Sequence, residues 1–402
     1  MTSWPTWTPA SEPPRAPELV VAMIDAPVTG AWRPGDPPGR RKFVSLFRGG
    51  GSRRPGLELE AGGRLPEITV AYETWGVLDA RASNAVLVLH ALSGDSHASG
   101  PVGPGHPSPG WWSPLIGPGA PIDTDRYFVV CPNVLGGCQG TTGPSSWAED
   151  GRPYGSRFPV VTVRDQVAVE RALALELGIE AWYAVAGGSM GGMRALQWAV
   201  DYPANLERAV VVATGAAASA EQIALCWLQN QAIRVDPDFR EGDYYDAKRG
   251  PLAGLAIARA IGHVSYRSEL ELQQRFGNSP QGDEAPLAGG RYAVESYLEY
   301  HGEKLIGRFD ANSYLVLSEA MNHYDLGRGY GGAETALSRI RARVTIAGIS
   351  SDRLYPLRLQ RELGQLIPDA SEVHVIESIV GHDGFLVEHE AVGAAIREAL
   401  SS

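Results

Sequence analysis

Ser189, Asp352 and His382 are the residues of this chain whose types and order could make an alcohol nucleophilic. A serine hydroxyl reacts poorly until a base takes its proton, and the base needs a carboxylate to orient it. Ser189 lies in Gly187-Gly188-Ser189-Met190-Gly191-Gly192, after the apolar run Trp182 to Ala186 and before the helix formers Met193 to Trp198. A strand, a sharp turn and a helix with G-x-S-x-G spacing present the Ser at a strained backbone position. Glycines two before and two after it let strand and helix pass closely beneath. The next N–H, that of Met190, then sits at a helix N-terminus, where developing negative charge is stabilised. An ordinary Gly-rich turn with Ser189 capping the helix gives the same string, so the downstream residues must decide.

Downstream, the strand-like VTIAGI is followed by Ser350-Ser351-Asp352, and the next apolar run is followed by Val380-Gly381-His382-Asp383-Gly384. Taken singly, Asp352 reads equally as a turn cap and His382 as a surface-loop histidine. Taken together, each lies just beyond its own strand and reaches the same rim as Ser189. Ser, then Asp, then His is the chain order of the triad in α/β-hydrolase folds. Acyl chemistry also needs two backbone donors for the developing oxyanion. Met190 supplies one by position, and the loop HALSG after the third sheet strand supplies the other, with Leu92 the expected donor. His90 and His97 have no third ligand at metal-binding spacing, so structural roles are expected for both and no metal is assigned.

The elements that must position these residues follow from apolar periodicity. Val86 to Leu89, Tyr127 to Val130, Trp182 to Ala186 and Ala209 to Ala213 read as buried strands, and Thr162 to Gly178 reads as a helix ending on Gly178. Strands alternating with helices imply a mostly parallel sheet flanked by helices, with sites beyond the strand ends. The alternation stops at 215 and resumes after 337. The expected organisation is therefore an α/β-hydrolase fold with a core domain of 41–214 and 338–402 and a helical lid insertion of 215–337. Strands return at Val344 to Gly348 and Glu372 to Ile376, and a helix from Val387 to Leu400 closes the chain. Leu57 to Gly76 alternates around a Gly-Gly turn and reads as an antiparallel hairpin. Residues 1–40, rich in Pro, Gly and Ala, read as a flexible N-terminal tail. The basic cluster Arg40, Arg41, Lys42, Arg48, Arg53 and Arg54 reads as a solvated surface.

Bulk properties narrow the function. The chain has 402 residues, 44% hydrophobic and 20% charged, with a formal net charge of −11. An acidic balance argues against nonspecific binding to nucleic acid or to an anionic membrane. Three cysteines are too few for a disulfide framework and fit a reducing cytoplasm. No apolar run approaches the roughly 18 residues of a membrane span, and the first residues lack the order of a secretory signal. A cytoplasmic protein is expected.

The strings HALSGDSH, NVLGGCQGTTGP, GGSMGGMRALQWA, SDRLYP and GHDGFL closely resemble the homoserine O-acetyltransferase family of methionine biosynthesis, over roughly residues 40 to 400. The resemblance implies an acyltransferase that moves acetyl from acetyl-CoA, as co-substrate, to the L-homoserine hydroxyl through a Ser acyl-enzyme, with no bound cofactor. It also implies a homodimer formed through the lid helices. By motif, Ser189 would be the nucleophile, His382 the base and Asp352 its orienter. The segment GLAIARAIGHVSYRS resembles the family stretch that puts an Arg and a Tyr into the pocket, here Arg259 and Tyr266. Arg259 suits the substrate carboxylate, and Asp383 matches the position that would hold its ammonium. Ser93 stands where Thr is common, with the hydroxyl kept. Succinyl transfer, serine as acceptor, and an esterase or thioesterase on the same scaffold remain alternatives, because all share these parts.

Overall fold

The central strands form because their side chains are almost all apolar, as expected where a parallel sheet is covered on both faces. In the computed structural model, which describes residues 26–48 and 56–401, eight strands make one sheet. They are β1 (Lys42–Leu46), β2 (Ile68–Trp75), β3 (Ala85–Leu89), β4 (Phe128–Pro132), β5 (Ala184–Gly188), β6 (Arg208–Val212), β7 (Arg343–Ile349) and β8 (His374–Ile376). Their spatial order is β1-β2-β4-β3-β5-β6-β7-β8. Only β2 runs against its neighbours β1 and β4; the pairs from β4 onward are parallel.

Alternate residues of β3 serve opposite layers. Leu87 and Leu89 join a core with Val167 and Leu196, whereas Val86 and Val88 pack with Ile396 and Ala399. The first layer contains α1 (Val163–Glu176) and α2 (Met190–Asp201). Thr162 starts α1 with a capping box to Asp165. Gly178, at φ +74°, ends it, with the Ile179 N–H on the Ala174 carbonyl at 2.8 Å.

Between β6 and β7 the chain inserts helices α3 (Ala220–Arg234), α4 (Leu252–Tyr266), α5 (Glu269–Phe276), α6 (Ala293–Ile306), α7 (Ala311–Asn322) and α8 (Ala333–Leu337). The insertion has a neck. Ala218 N–H bonds the Tyr324 carbonyl and Leu326 N–H bonds the Ala216 carbonyl, each at 2.9 Å. Helix α8 lies past this neck and packs into the core through Ala336 and Leu337. After β7 come α9 (Leu357–Leu366), α10 (Gly384–Val387) and α11 (His389–Ser401). Among the described residues no helix is long and apolar enough to cross a membrane.

Four expectations need correction. Residues 1–25 lie outside the described residues, but 26–32 pack in part against the fold rather than forming a free tail, while 33–40 are exposed. Buried Thr29 donates to Asp310 at 2.8 Å, and that buried carboxylate also accepts from Tyr244, Tyr245 and the Ser313 N–H. Second, the Leu57 to Gly76 hairpin is only a two-residue pairing of Leu57–Glu58 with Arg64–Leu65; the following strand pairs with β1 and β4 instead. Third, the closing helix is broken at Glu388, whose ψ of 59° is not helical. Fourth, Arg41 is buried, donating to Gln139 Oε1 at 2.8 Å and to the Gly105 carbonyl at 3.0 Å. Arg40, Lys42 and Arg48 do face solvent at least in part, while Arg53 and Arg54 lie outside the described residues.

Candidate functional site

Ser189 stands between β5 and α2 with φ +57° and ψ −125°, a conformation that costs of order 1–3 kcal/mol for a residue with a Cβ and persists only where the surroundings enforce it. Its neighbours do so. A Cβ on Gly187 would meet the Gly191 backbone at 2.5 Å, and one on Gly191 would collide with the Leu89 carbonyl. The glycines therefore let α2 start directly against the ends of β3 and β5, which run side by side with Leu89 opposite Gly187.

Three loops converge on the Ser189 hydroxyl. His382 Nε2 lies 2.9 Å from Ser189 Oγ, and His382 Nδ1 lies 2.6 Å from Asp352 Oδ2. The other oxygen of Asp352 accepts the Leu354 and Tyr355 N–H groups, both at 2.8 Å. Those amides fix the carboxylate, the carboxylate fixes the ring with Nδ1–H toward it, and Nε2 is left to accept from the serine. All three side chains are buried. Burial disfavours charge on His382, but the charge and hydrogen bond of Asp352, with Asp383 beside them, outweigh it and hold its pKa above the usual 6.5. Tyr355 stacks on the ring at 5.0 Å and Phe385 lies 5.3 Å away. The sequence carried no signal for either aromatic contact.

Leu92 and Met190 occupy the loop after β3 and the first turn of α2. Among the described residues neither N–H donates to a protein acceptor. A buried cross-link holds these two segments together. Arg194 on α2 donates to Glu170 Oε1 on α1 at 2.6 Å and to the His90 carbonyl at 2.5 Å, and Trp198 Nε1 donates to Glu170 Oε2 at 2.8 Å. Sequence reading missed this group, since a charge at helical spacing does not announce its burial.

Arg259 and Tyr266 share α4, with the guanidinium 5.7 Å from the centre of the tyrosine ring. The Arg259 Nη1 donates to Ser93 Oγ at 3.1 Å, so the hydroxyl at position 93 has a partner. Tyr266 lies 6.1 Å from the His382 ring. Asp383 is paired at 3.2 Å with Arg267, a residue the sequence reading did not single out. Burial pushes the Asp383 carboxyl above its usual range against the pull of Arg267 and Arg259. A cleft of about 300 Å³ lies over Asp383, walled by Ser93, Asp95, Arg259, Arg267, Lys304 and Arg308 among others. Cations thus gather here in a chain that is acidic overall. A second cleft of about 400 Å³, lined by Trp32, Trp147 and Tyr154, shares no residue with it.

The fold supplies His97 with neighbours that spacing concealed, which corrects the expectation that no third ligand accompanies it. Glu73, His97 and His106 offer ligand atoms all within 4.8 Å of one another. A metal lies in the plane of each imidazole that binds it, yet these two rings stack with planes 12° apart and centroids at 3.9 Å. His106 Nε2 also already accepts the Arg40 N–H at 3.0 Å. The donor set fits a hydrogen-bonded charge network better than a metal. His90 sits elsewhere. Its Nε2 accepts the Val134 N–H at 3.1 Å, and burial and Arg194 push its pKa down to about 3, so the ring is neutral.

A family model for the alpha/beta hydrolase fold matches residues 84–388. The homoserine O-acetyltransferase of Thermobifida fusca (strain YX) is 59% identical over 376 residues, covering 93% of this chain and 97% of that protein. Among solved structures, a homoserine O-acetyltransferase from Bacillus anthracis superposes with a TM-score of 0.81 at 29% identity, covering 90% of this chain and 97% of the other. Esterase E22 is similar to the same degree, with a TM-score of 0.80, 29% identity and coverage of 90% and 99%.

Proposed function

This chain belongs to the homoserine O-acetyltransferase family of the α/β-hydrolase fold, and from that premise we propose that it acetylates the side-chain hydroxyl of L-homoserine in methionine biosynthesis. The observation that carries the reading is the hydrogen-bonded series Ser189, His382, Asp352, together with a cation-rich cleft lined by Asp383, the residue that follows His382. Ser189 Oγ attacks the thioester carbonyl carbon of acetyl-CoA while His382 Nε2 takes its proton. The C–S bond then breaks and His382 returns that proton to the leaving thiolate, releasing CoA. In the second half, the homoserine hydroxyl gives its proton to His382 and attacks the acyl carbon, and Ser189 leaves with the proton. The N–H groups of Leu92 and Met190 receive the oxyanion in both halves.

Arg259 pairs with the acceptor carboxylate, Asp383 with its ammonium, and Tyr266 adds a hydroxyl on the same side. The cations of the cleft suit acetyl-CoA, which carries phosphates, and no bound cofactor is required. The helical insertion acts as the lid. Its exposed Ile223, Trp227 and Leu228 on α3, with Ile257 and Val264 on α4, support a homodimer through the lid helices, since such apolar groups favour a covered surface. We place the protein in the cytoplasm, in keeping with its three free, buried cysteines.

The test is a matrix of acetyl-CoA and succinyl-CoA against homoserine and serine, with CoA release and acylated product measured. Acetyl-CoA with homoserine should dominate, and Ser189→Ala should remove both turnover and acyl-enzyme, a loss of several orders of magnitude. Near-normal turnover in that variant would rule Ser189 out. Similarity to esterase E22 supports a second reading, hydrolysis on the same scaffold. It gains if acetyl-CoA is consumed equally fast without any acceptor.

A further inference from the structure

The loop that holds Leu92 rests on charges the reaction does not use. Glu73, on β2, is fully buried. Its oxygens accept from Ser96 Oγ at 2.9 Å and face His97 Nδ1 at 3.0 Å. A carboxylate shut away from water is costly unless it is paired and hydrogen-bonded. The hydrogen bonds of the two neighbouring histidines identify the counter-charge. His97 Nε2 faces the Pro101 carbonyl at 3.2 Å, so both ring nitrogens look at acceptors. Neutral imidazole has one N–H and can serve only one of them; the imidazolium serves both. His106 is the opposite case, because its Nε2 must be unprotonated to accept from Arg40.

The surroundings agree. Burial works against a charge on His97, but the hydrogen bond and charge of Glu73, with Asp95, hold its pKa above the usual value; burial draws His106 below it. The Arg40 guanidinium is 3.9 Å from Glu73 but half exposed. Arg41 is engaged with Gln139, and Asp95 with Arg308 at 3.2 Å. His97 is therefore the buried cation in direct hydrogen bond with Glu73.

These contacts end in the oxyanion loop. Ser96 N–H donates to Asn133 Oδ1 at 2.7 Å, and His97 N–H to Asp95 Oδ1 at 2.9 Å. Trp111 Nε1 holds the Asp95 carbonyl at 2.9 Å. Gly94 N–H closes on the Ala91 carbonyl at 2.9 Å, bracketing Leu92. A Cβ on Gly100 would meet His97 Cε1 at 2.9 Å, so the backbone is shaped to the ring.

We infer that His97 is a positioning residue: as a buried imidazolium bridging Glu73 and the Pro101 carbonyl, it fixes the loop from Ala91 to His97 so that the Leu92 N–H stays aimed at the acyl oxygen on Ser189. The inference rests on the oxyanion role proposed above for Leu92. His97→Gln keeps one donor toward Glu73 but removes the charge and the second bond. A displacement of about 1 Å in an active site can cost about 10²-fold. Both half-reactions should thus lose at least about tenfold in kcat, with KM for homoserine nearly unchanged, because the oxyanion contact is made in the transition state. The double variant E73Q/H97Q, which removes both charges, should regain most of the rate, whereas a role in packing alone predicts no recovery. In wild-type protein, 15N NMR should find both His97 ring nitrogens protonated near neutral pH, and Glu73→Gln should move the titration to lower pH. A neutral ring near pH 7, wild-type kcat in H97Q, or a double variant no better than the single overturns the inference. Should H97Q fail to fold, the double variant and the wild-type spectrum still decide. Since the spectrum needs no turnover, a protein with the imidazolium that leaves homoserine unacetylated sinks the enzymatic reading and not the charge assignment.

Discussion

Replacing Arg194 by methionine would test how the catalytic elements are fastened together. Arg194 is 0% exposed and donates to Glu170 and to the His90 carbonyl. Methionine keeps much of the stem's volume and deletes both charge-assisted bonds, leaving Glu170, among the described residues, with the neutral Trp198 N–H. Removing one partner of a buried ion pair costs about 3–5 kcal/mol, against a total stability of roughly 5–15 kcal/mol. We therefore expect a destabilisation of about 3–5 kcal/mol in urea denaturation near pH 8. The penalty should depend on pH. Burial already raises the Glu170 pKa against the opposing pull of Arg194 and Trp198, and without the guanidinium it rises further. A carboxyl with a raised folded-state pKa binds more protons folded than unfolded between the two values, so stability falls as pH rises through that window. R194M should thus be less destabilised near pH 5 than near pH 8. R194M/E170L, with both members of this buried pair removed, should be more stable than R194M alone. A loss below about 1 kcal/mol near pH 8, or a double variant as weak as the single, would refute the reasoning.

Two further outcomes follow from the site. Because His382 must be neutral to accept the proton of Ser189, and Asp352 holds its pKa above 6.5, single-turnover acetylation should increase with pH through an inflection above that value. Asp352→Asn should move the inflection down and slow the step by up to about 10⁴-fold; a wild-type inflection below 6.5 would contradict the assignment. Arg259→Ala should cut kcat/KM for homoserine at least about tenfold, by loss of a charge-assisted bond of about 1.5–3 kcal/mol. Acetylation of Ser189 by acetyl-CoA should be nearly unchanged, and the reverse pattern would assign Arg259 to the donor. Ser93→Ala, which removes the hydroxyl that Arg259 holds, is the control for an indirect effect through the oxyanion loop.

The sequence by itself determined which residues could meet at the rim. Unbroken apolar runs mark strands buried on both faces, Gly187 and Gly191 mark a turn that tolerates no side chain, and Asp352 and His382 each follow a run. These are local properties, written within a few residues, and the structure brings Ser189, Asp352 and His382 into hydrogen-bond contact accordingly. Tertiary structure decided the partners of the charges. Thr29 and Asp310 are 281 positions apart, His97 and Glu73 are 24 apart, and Arg194 and Glu170 are 24 apart. No periodicity links such pairs. Arg41 illustrates the reason: within a basic run, solvation is the default, since an ion leaves water only where fixed acceptors await it. The Gly105 carbonyl and the Gln139 amide become such acceptors for Arg41 only when separate loops are folded against β1.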